Sequence, residues 1–245
     1  MSRKRRTSRS RKSKAFGFRR IVAGLALIGA LAAGYGSYQG LYSNIFMSAR
    51  QVENLEEIPE YEGQPYVVVN ENEPSFSDED KNGPAYEYYS ERDALGRCGF
   101  AEAKISRELM PVEERGAIGS VKPSGWHTVK YDFVDGKYLY NRCHLIGYQL
   151  TGENANERNL ITGTRYMNVE GMLPWENEVA EYIERTGDAV MYRVTPVFEG
   201  ANLLASGVQM EAESVGSHDI RFNVYVFNVQ PGIEIDYTTG ESREE

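Results

Sequence analysis

Histidine and cysteine are scarce in this chain, and its first 49 residues hold no acidic side chain. The three histidines, His127, His144 and His218, are the side chains that could take up a proton near neutral pH without a perturbed pKa. The two cysteines, Cys98 and Cys143, permit at most one bridge within the chain; two unpaired thiols are the alternative. Charged residues are missing altogether from Ile21 to Ala49, and no internal repeat is visible. What remains is globular: 41% of the 245 residues are hydrophobic, enough to close a core and to exclude a disordered chain.

Charge is distributed very unevenly. Residues 1–20 carry ten Lys or Arg and no acid, so the rest of the chain sets 17 basic side chains against 36 acidic ones. Ile21–Tyr42 is then long and apolar enough for a membrane-spanning helix, and the basic head before it would stay in the cytoplasm. A cleaved signal segment is the competing reading, with small-residue sites at Ala30–Ala32 and Ala32–Gly34. Either reading exports everything after residue 50, as a single-pass membrane protein with an extracellular domain or as a secreted one. In an oxidising compartment a Cys98–Cys143 bridge would contribute about 4 kcal/mol by chain entropy.

Residues 43–65 read as a linker, acidic and broken by Pro and Gly in its second half, and residues 239–245 as an acidic tail; the folded domain is expected between them, over residues 66–238. Tyr66–Val69 reads as a strand and 70–84 as a surface loop. Trp126–Phe133, the Asp135-Gly136 turn and Lys137–Leu145 read as a hairpin that ends on His144. Met167–Thr186 has helical spacing, with Gly187 as its stop and a break expected near Leu173, where Pro174 would begin a second helix. Residues 189–198, 203–213 and 222–229 read as strands. Strands, helix, strands in that order predict an α+β domain on a mainly antiparallel sheet.

The chemistry concentrates between residues 140 and 168. Tyr140-Asn141-Arg142-Cys143-His144-Leu145-Ile146 is followed by Arg158-Asn159-Leu160-Ile161-Thr162-Gly163-Thr164-Arg165-Tyr166-Met167-Asn168. Hydrolysis of a phosphodiester needs a base for water, cations for the phosphoryl charge and a stabilised leaving oxygen. His144 could be that base, and Arg142, Arg158 and Arg165 could grip phosphate through their guanidinium forks. An Asn oxygen can seat Mg²⁺, which keeps most of its waters. Asn159 and Asn168 have a plainer alternative as turn and helix caps, and the arginines as partners for nearby Glu. His127 and His218 read as structural.

These two runs resemble the DNA/RNA non-specific endonuclease family, the ββα-metal nucleases with an Asp-Arg-Gly-His signature, and within it the surface-attached and secreted DNases of Gram-positive bacteria. The resemblance extends from about Tyr66 to about residue 238 and implies a ββα-metal nuclease fold preceded by the N-terminal transmembrane or signal segment. It implies that His144 is the general base, Asn168 the direct ligand of Mg²⁺ (with Mn²⁺ as a substitute) and Arg142 the signature arginine. Asn159 matches a second active-site Asn that positions substrate or metal-bound water, and Glu176 a carboxylate that hydrogen-bonds that water. Arg158 and Arg165 would bind substrate. DNA, with RNA as a second substrate, would be cut to 5′-phosphate and 3′-hydroxyl ends; no protein partner is implied. Two positions depart from the signature: Asn141 stands for its Asp and Cys143 for its Gly. A weak or inactive surface-anchored module that only binds nucleic acid is the alternative in another class, since the domain is acidic where phosphate-binding proteins are usually basic.

Overall fold

Short runs of β-branched and aromatic residues build most of the protein, because such side chains fill a pleated, half-buried surface. The computed structural model describes residues 50–245; the basic head, the apolar segment 21–42 and the first part of the expected linker lie outside the described residues. In chain order the strands are β1 (Gln51–Val52), β2 (Tyr66–Val69), β3 (Tyr86–Tyr89), β4 (Ala101–Ile105), β5 (Tyr140–His144), β6 (Leu160–Thr164), β7 (Val190–Val197), β8 (Gly207–Ser214), β9 (Arg221–Phe227), β10 (Ile233–Ile235) and β11 (Ser242–Glu244). Seven of them form one sheet in the order β1-β2-β9-β8-β7-β4-β3. Every pairing in it is antiparallel except β1 with β2, so the expected α+β class with a mainly antiparallel sheet holds. The pairs β5–β6 and β10–β11 stand apart from it.

Among the described residues the α-helices are α1 (Asp78–Lys81), α2 (Tyr148–Thr151) and α3 (Leu173–Thr186). The last buries Trp175, Val179, Ala180, Tyr182 and Ile183 along one face. Trp175 meets Phe222 on β9 and Tyr66 on β2 at ring-centroid separations of 4.7 and 5.1 Å. α3 stops where expected: Gly187 takes φ 74° and donates its N–H to Ile183 O, a conformation costly for a residue with a Cβ.

The expected break at Pro174 takes a different form. Met167–Met172 is a π-helical turn that runs straight into α3, and the N–H of Leu173 reaches back to Asn168 O. Pro174 therefore falls in the first turn of α3, where a missing N–H goes unnoticed. Gly171 lets this turn lie directly on β9, since a Cβ there would stand 2.3 Å from Val226 Cγ1.

Other expectations from sequence are corrected by packing. Residues 51–65 do not hang free: β1 pairs with β2, and Leu55, Ile58 and Tyr61 pack against Val67, Val69, Tyr225 and Phe227. Their roughly three-residue spacing is masked by the acids between them. Ser242–Glu244, read as tail, pairs with β10. The hairpin expected over 126–145 is a loop joined by a single Lys130–Tyr138 bridge; beyond it the chain closes in successive turns, Val134 N–H donating to Tyr131 O and Lys137 N–H to Val134 O, and forms no regular ladder. The true partner of β5 is β6. The loop 70–84 carries α1 and covers the outer face of the sheet, where Arg193 pairs with Glu102 and Glu211 at 3.1 and 3.0 Å and with Ser75 Oγ at 2.7 Å. Among the described residues no helix is long and apolar enough to cross a membrane.

Candidate active site

β5, β6 and the π-helical turn form a small unit that carries the two motif runs. Its register sets Cys143 opposite Ile161 and Asn141 opposite Gly163. Gly163 is needed there: a Cβ would lie 2.4 Å from Cys143 Sγ and from Met167 Cε. The sulfur that replaces the signature glycine thus fills space left open across the ladder. Cys143 donates its thiol hydrogen to Asn168 Oδ1 at 3.2 Å, and Asn168 Nδ2 reaches Asn141 Oδ1 at 3.3 Å. Asn141, in the place of the signature Asp, therefore orients Asn168 without adding charge. Both cysteines are free and buried, so there is no bridge; the Cys98 thiol is spent on the carbonyls of Glu157 and Leu160.

An open cavity of about 520 Å³ lies over this unit, and His144, Asn168, Glu176, Arg142 and Arg165 all line it. These are five of the seven residues to which the sequence assigned a role. Arg115 lines it too, so three guanidinium groups face one carboxylate in a domain that is acidic as a whole. That is a local cation excess of the kind that phosphate recognition requires.

His144 is 7% exposed, at the end of β5. Its Nε2 lies 2.7 Å from Asn154 O, and its Nδ1 lies 3.2 Å from Arg115 Nη2. A carbonyl can only accept and a guanidinium can only donate, which fixes the tautomer: Nε2 carries the hydrogen and Nδ1 presents its lone pair. Burial, together with the Arg115 charge, lowers the pKa of the ring to about 4, so the imidazole is neutral at physiological pH.

Glu176 approaches the backbone of Gly147 so closely that a Cβ there would stand 2.7 Å from Oε2. Burial raises its pKa to about 7, against the pull of Arg115. A carboxyl that holds its proton more tightly folded than unfolded adds stability below the ordinary carboxylate pKa and loses it as pH rises through 7. Glu176→Gln is accordingly expected to stabilise the metal-free protein at pH 8 by on the order of 2 kcal/mol, with the gain shrinking toward pH 5. Urea melts in EDTA at both pH values measure this, and equal midpoints at pH 8 would refute it.

Two expected site residues stand elsewhere. Asn159 is fully buried; its Oδ1 accepts from Ile146 N at 2.9 Å and its Nδ2 donates to Ile146 O at 3.0 Å. It is a clamp on the loop that leaves His144 and does not line the cavity, because both ends of its amide are consumed by backbone. Asn159→Ala should cost about 2 kcal/mol or more in a denaturant melt, since it strands a buried N–H and C=O; a wild-type midpoint would show the clamp to be dispensable. Arg158 points away to Glu91, 2.9 Å from its carboxylate, and does not line the cavity. Arg142 donates to the carbonyls of Val121 and Gly119 and stacks 4.0 Å over the Trp126 ring, so it braces the cavity wall. Arg165 pairs with Asp135 at 2.7 Å.

Arg115 and Asn154 complete the site from outside the two motif runs, and Gly147 directly follows the first of them. Arg115 and Asn154 come from loops whose Glu-Glu-Arg-Gly and Glu-Asn-Ala-Asn composition looks like ordinary surface. The two loops meet where Asn154 Nδ2 packs against Gly116, where a Cβ would lie 2.7 Å away.

The DNA/RNA non-specific endonuclease family model matches residues 76–216, more than half of the chain. The chain belongs to that family. A curated deoxyribonuclease of Streptococcus dysgalactiae subsp. equisimilis is 35% identical over 108 residues, 42% of this chain and 32% of that protein; the match thus spans about a third of that relative's length. In fold, the protein is similar to NucA from Streptococcus agalactiae with magnesium ion bound, at a TM-score of 0.68 and 24% identity over 83% of this chain and 97% of NucA. It is also similar to Sda1 nuclease with bound zinc ion, at a TM-score of 0.56 and 29% identity over 65% of this chain and 81% of that one.

Proposed function

We propose that the protein is an endonuclease that hydrolyses DNA with little sequence preference, RNA being a second substrate, and that it depends on a divalent cation, Mg²⁺ with Mn²⁺ as a substitute. The observation that carries this reading is the orientation of His144, its Nε2–H tied to Asn154 O and its Nδ1 lone pair turned toward Arg115, in a cavity that Arg142 and Arg165 also line. A water at Nδ1 would lose its proton to the ring as its oxygen adds to phosphorus, and the Asn154 carbonyl would stabilise the imidazolium that results. Arg115 occupies that position in the described structure, so substrate phosphate would draw it aside and keep it as a charge partner.

The donor set fits a hard cation. Asn168 Oδ1 would hold it directly and the Glu176 carboxylate would accept hydrogen bonds from its waters. Among the described residues no group of three or more His, Cys, Asp or Glu could hold a metal by itself, which suits an ion that retains its waters. When bound, such an ion offsets phosphoryl charge and stabilises the leaving oxygen. Asn141 and Cys143 keep the Asn168 amide oriented.

Incubating the full chain with plasmid DNA and with RNA, in Mg²⁺ and in EDTA, tests the reading. The expected result is Mg²⁺-dependent nicking with 5′-phosphate ends, abolished by EDTA. Retardation of DNA without nicking would instead support a binding module. The basic head and apolar segment support placing the domain outside the cell on a single-pass anchor, or free after signal cleavage, and protease accessibility on intact cells distinguishes these.

A further inference from the structure

A second cavity, of about 470 Å³, adjoins the first and shares Trp126, Tyr140, Asn141, Arg142 and Arg165 with it. Its character is different. Trp126, Tyr138 and Tyr140 supply aromatic surface, while Thr128 and Asp135 add hydrogen-bonding groups. Tyr138 is 46% exposed. Tyr140 is 3% exposed and belongs to the small core with Val134, Leu139, Leu204 and Ile233, and Trp126 packs against that core, so Tyr138 is the exposed ring among those that line the cavity. Trp126 and Tyr138 are each backed by a cation, Arg142 at 4.0 Å and Lys130 at 4.4 Å from the ring centroids.

Aromatic surface backed by cations, next to a cluster of phosphate-seeking groups, is the arrangement that holds an unstacked base while its phosphates are neutralised. We propose that this second cavity is a nucleobase subsite, which takes one base of single-stranded DNA adjacent to the phosphate at His144. The inference deepens the nuclease reading and rests on it for the strand's position. Arg142 and Arg165 line both cavities, so the backbone crosses between them while the base turns into the second. Stacking tolerates any base, which fits cutting without sequence preference. A duplex would have to extrude a base to use the cavity, at a cost of unpairing and unstacking, so single strands bind more tightly than duplexes of the same length.

The test is a binding cycle, read by fluorescence anisotropy with the full chain in EDTA so that nothing is cut. Short single-stranded oligonucleotides, intact or with one abasic position moved along the strand, are titrated with wild type and with Tyr138→Ala, whose exposed side chain can be removed without opening the core. For wild type, abasic substitution at one position should weaken binding about tenfold, the effect expected of a lost base stack. With Tyr138→Ala the intact strand should bind about tenfold more weakly and the abasic penalty should largely vanish. Trp126→Leu provides a second variant with the same expected loss of the abasic penalty. Equal penalties in wild type and variants, or none at any position, would overturn the subsite. Mg²⁺-dependent nicking of plasmid by wild type is scored separately, so a failed nuclease reading and a failed base subsite give different results.

Discussion

His144→Ala is expected to lower turnover about 10³-fold or more while leaving the protein folded, the loss typical of a removed general base. The side chain sits at the end of β5 with one nitrogen on a backbone carbonyl. Its removal deletes the acceptor for the water proton and leaves the strand ladder to β6 untouched. Added imidazole should restore part of the rate by entering the vacated space beside Asn154 and Arg115. Initial rates of plasmid nicking with and without imidazole measure both effects, and undiminished cleavage would reject His144 as the base. The same burial makes the fold acid-sensitive. A ring whose pKa falls to about 4 on folding leaves stability intact above the ordinary imidazole value and erodes it as pH drops toward 4. His144→Ala should therefore lose part of that acid sensitivity in melts between pH 7 and pH 4.

Asn168→Ala is expected to raise the Mg²⁺ concentration needed for half-maximal rate by about 100-fold, or to abolish activity altogether. It removes the oxygen that would hold the cation, leaves the Cys143 thiol without its acceptor and takes one of two donors from Asn141 Oδ1, which keeps Arg165 Nη1. Outer partners of a metal site alone are worth about 10–100-fold in affinity or activity, and a direct ligand should be worth at least that. Asn168→Asp separates the two roles. It keeps an oxygen and adds charge, so it should recover metal binding even though it cannot donate to Asn141. Rate against Mg²⁺ concentration for the three proteins, with calorimetric titration of Mn²⁺ as a readout independent of turnover, decides the matter. An unaltered Mg²⁺ dependence in Asn168→Ala would assign the cation to another residue.

Much of the fold was written in local pattern. The β-branched and aromatic runs at β2, β7 and β9, the stop at Gly187 and the antiparallel α+β class follow from local composition and from the conformational freedom of one glycine. Local pattern misled where pairing is non-local. Trp126–Phe133 alternates like a strand yet loses its expected partner, because β6 presents a complementary ladder to β5 from sixteen residues or more further along the chain. The acids of 51–65 hid Val52, Leu55, Ile58 and Tyr61, whose burial depends on β2 and β9 being in place.

The sequence by itself determined which family the chain resembles, and it located the imidazole at 144, the amide at 168, the carboxylate at 176 and the arginines at 142 and 165, because these belong to two short runs and one helix whose spacing is local. Tertiary structure alone decided that Asn159 clamps Ile146 and that Arg158 turns away to Glu91. It alone brought Arg115 to the cavity and set the Asn154 carbonyl on His144 Nε2. The reason is physical: a side chain's role is set by what lies within about 3 Å of it, and for these residues those neighbours come from other segments of the chain, whose proximity no local spacing encodes.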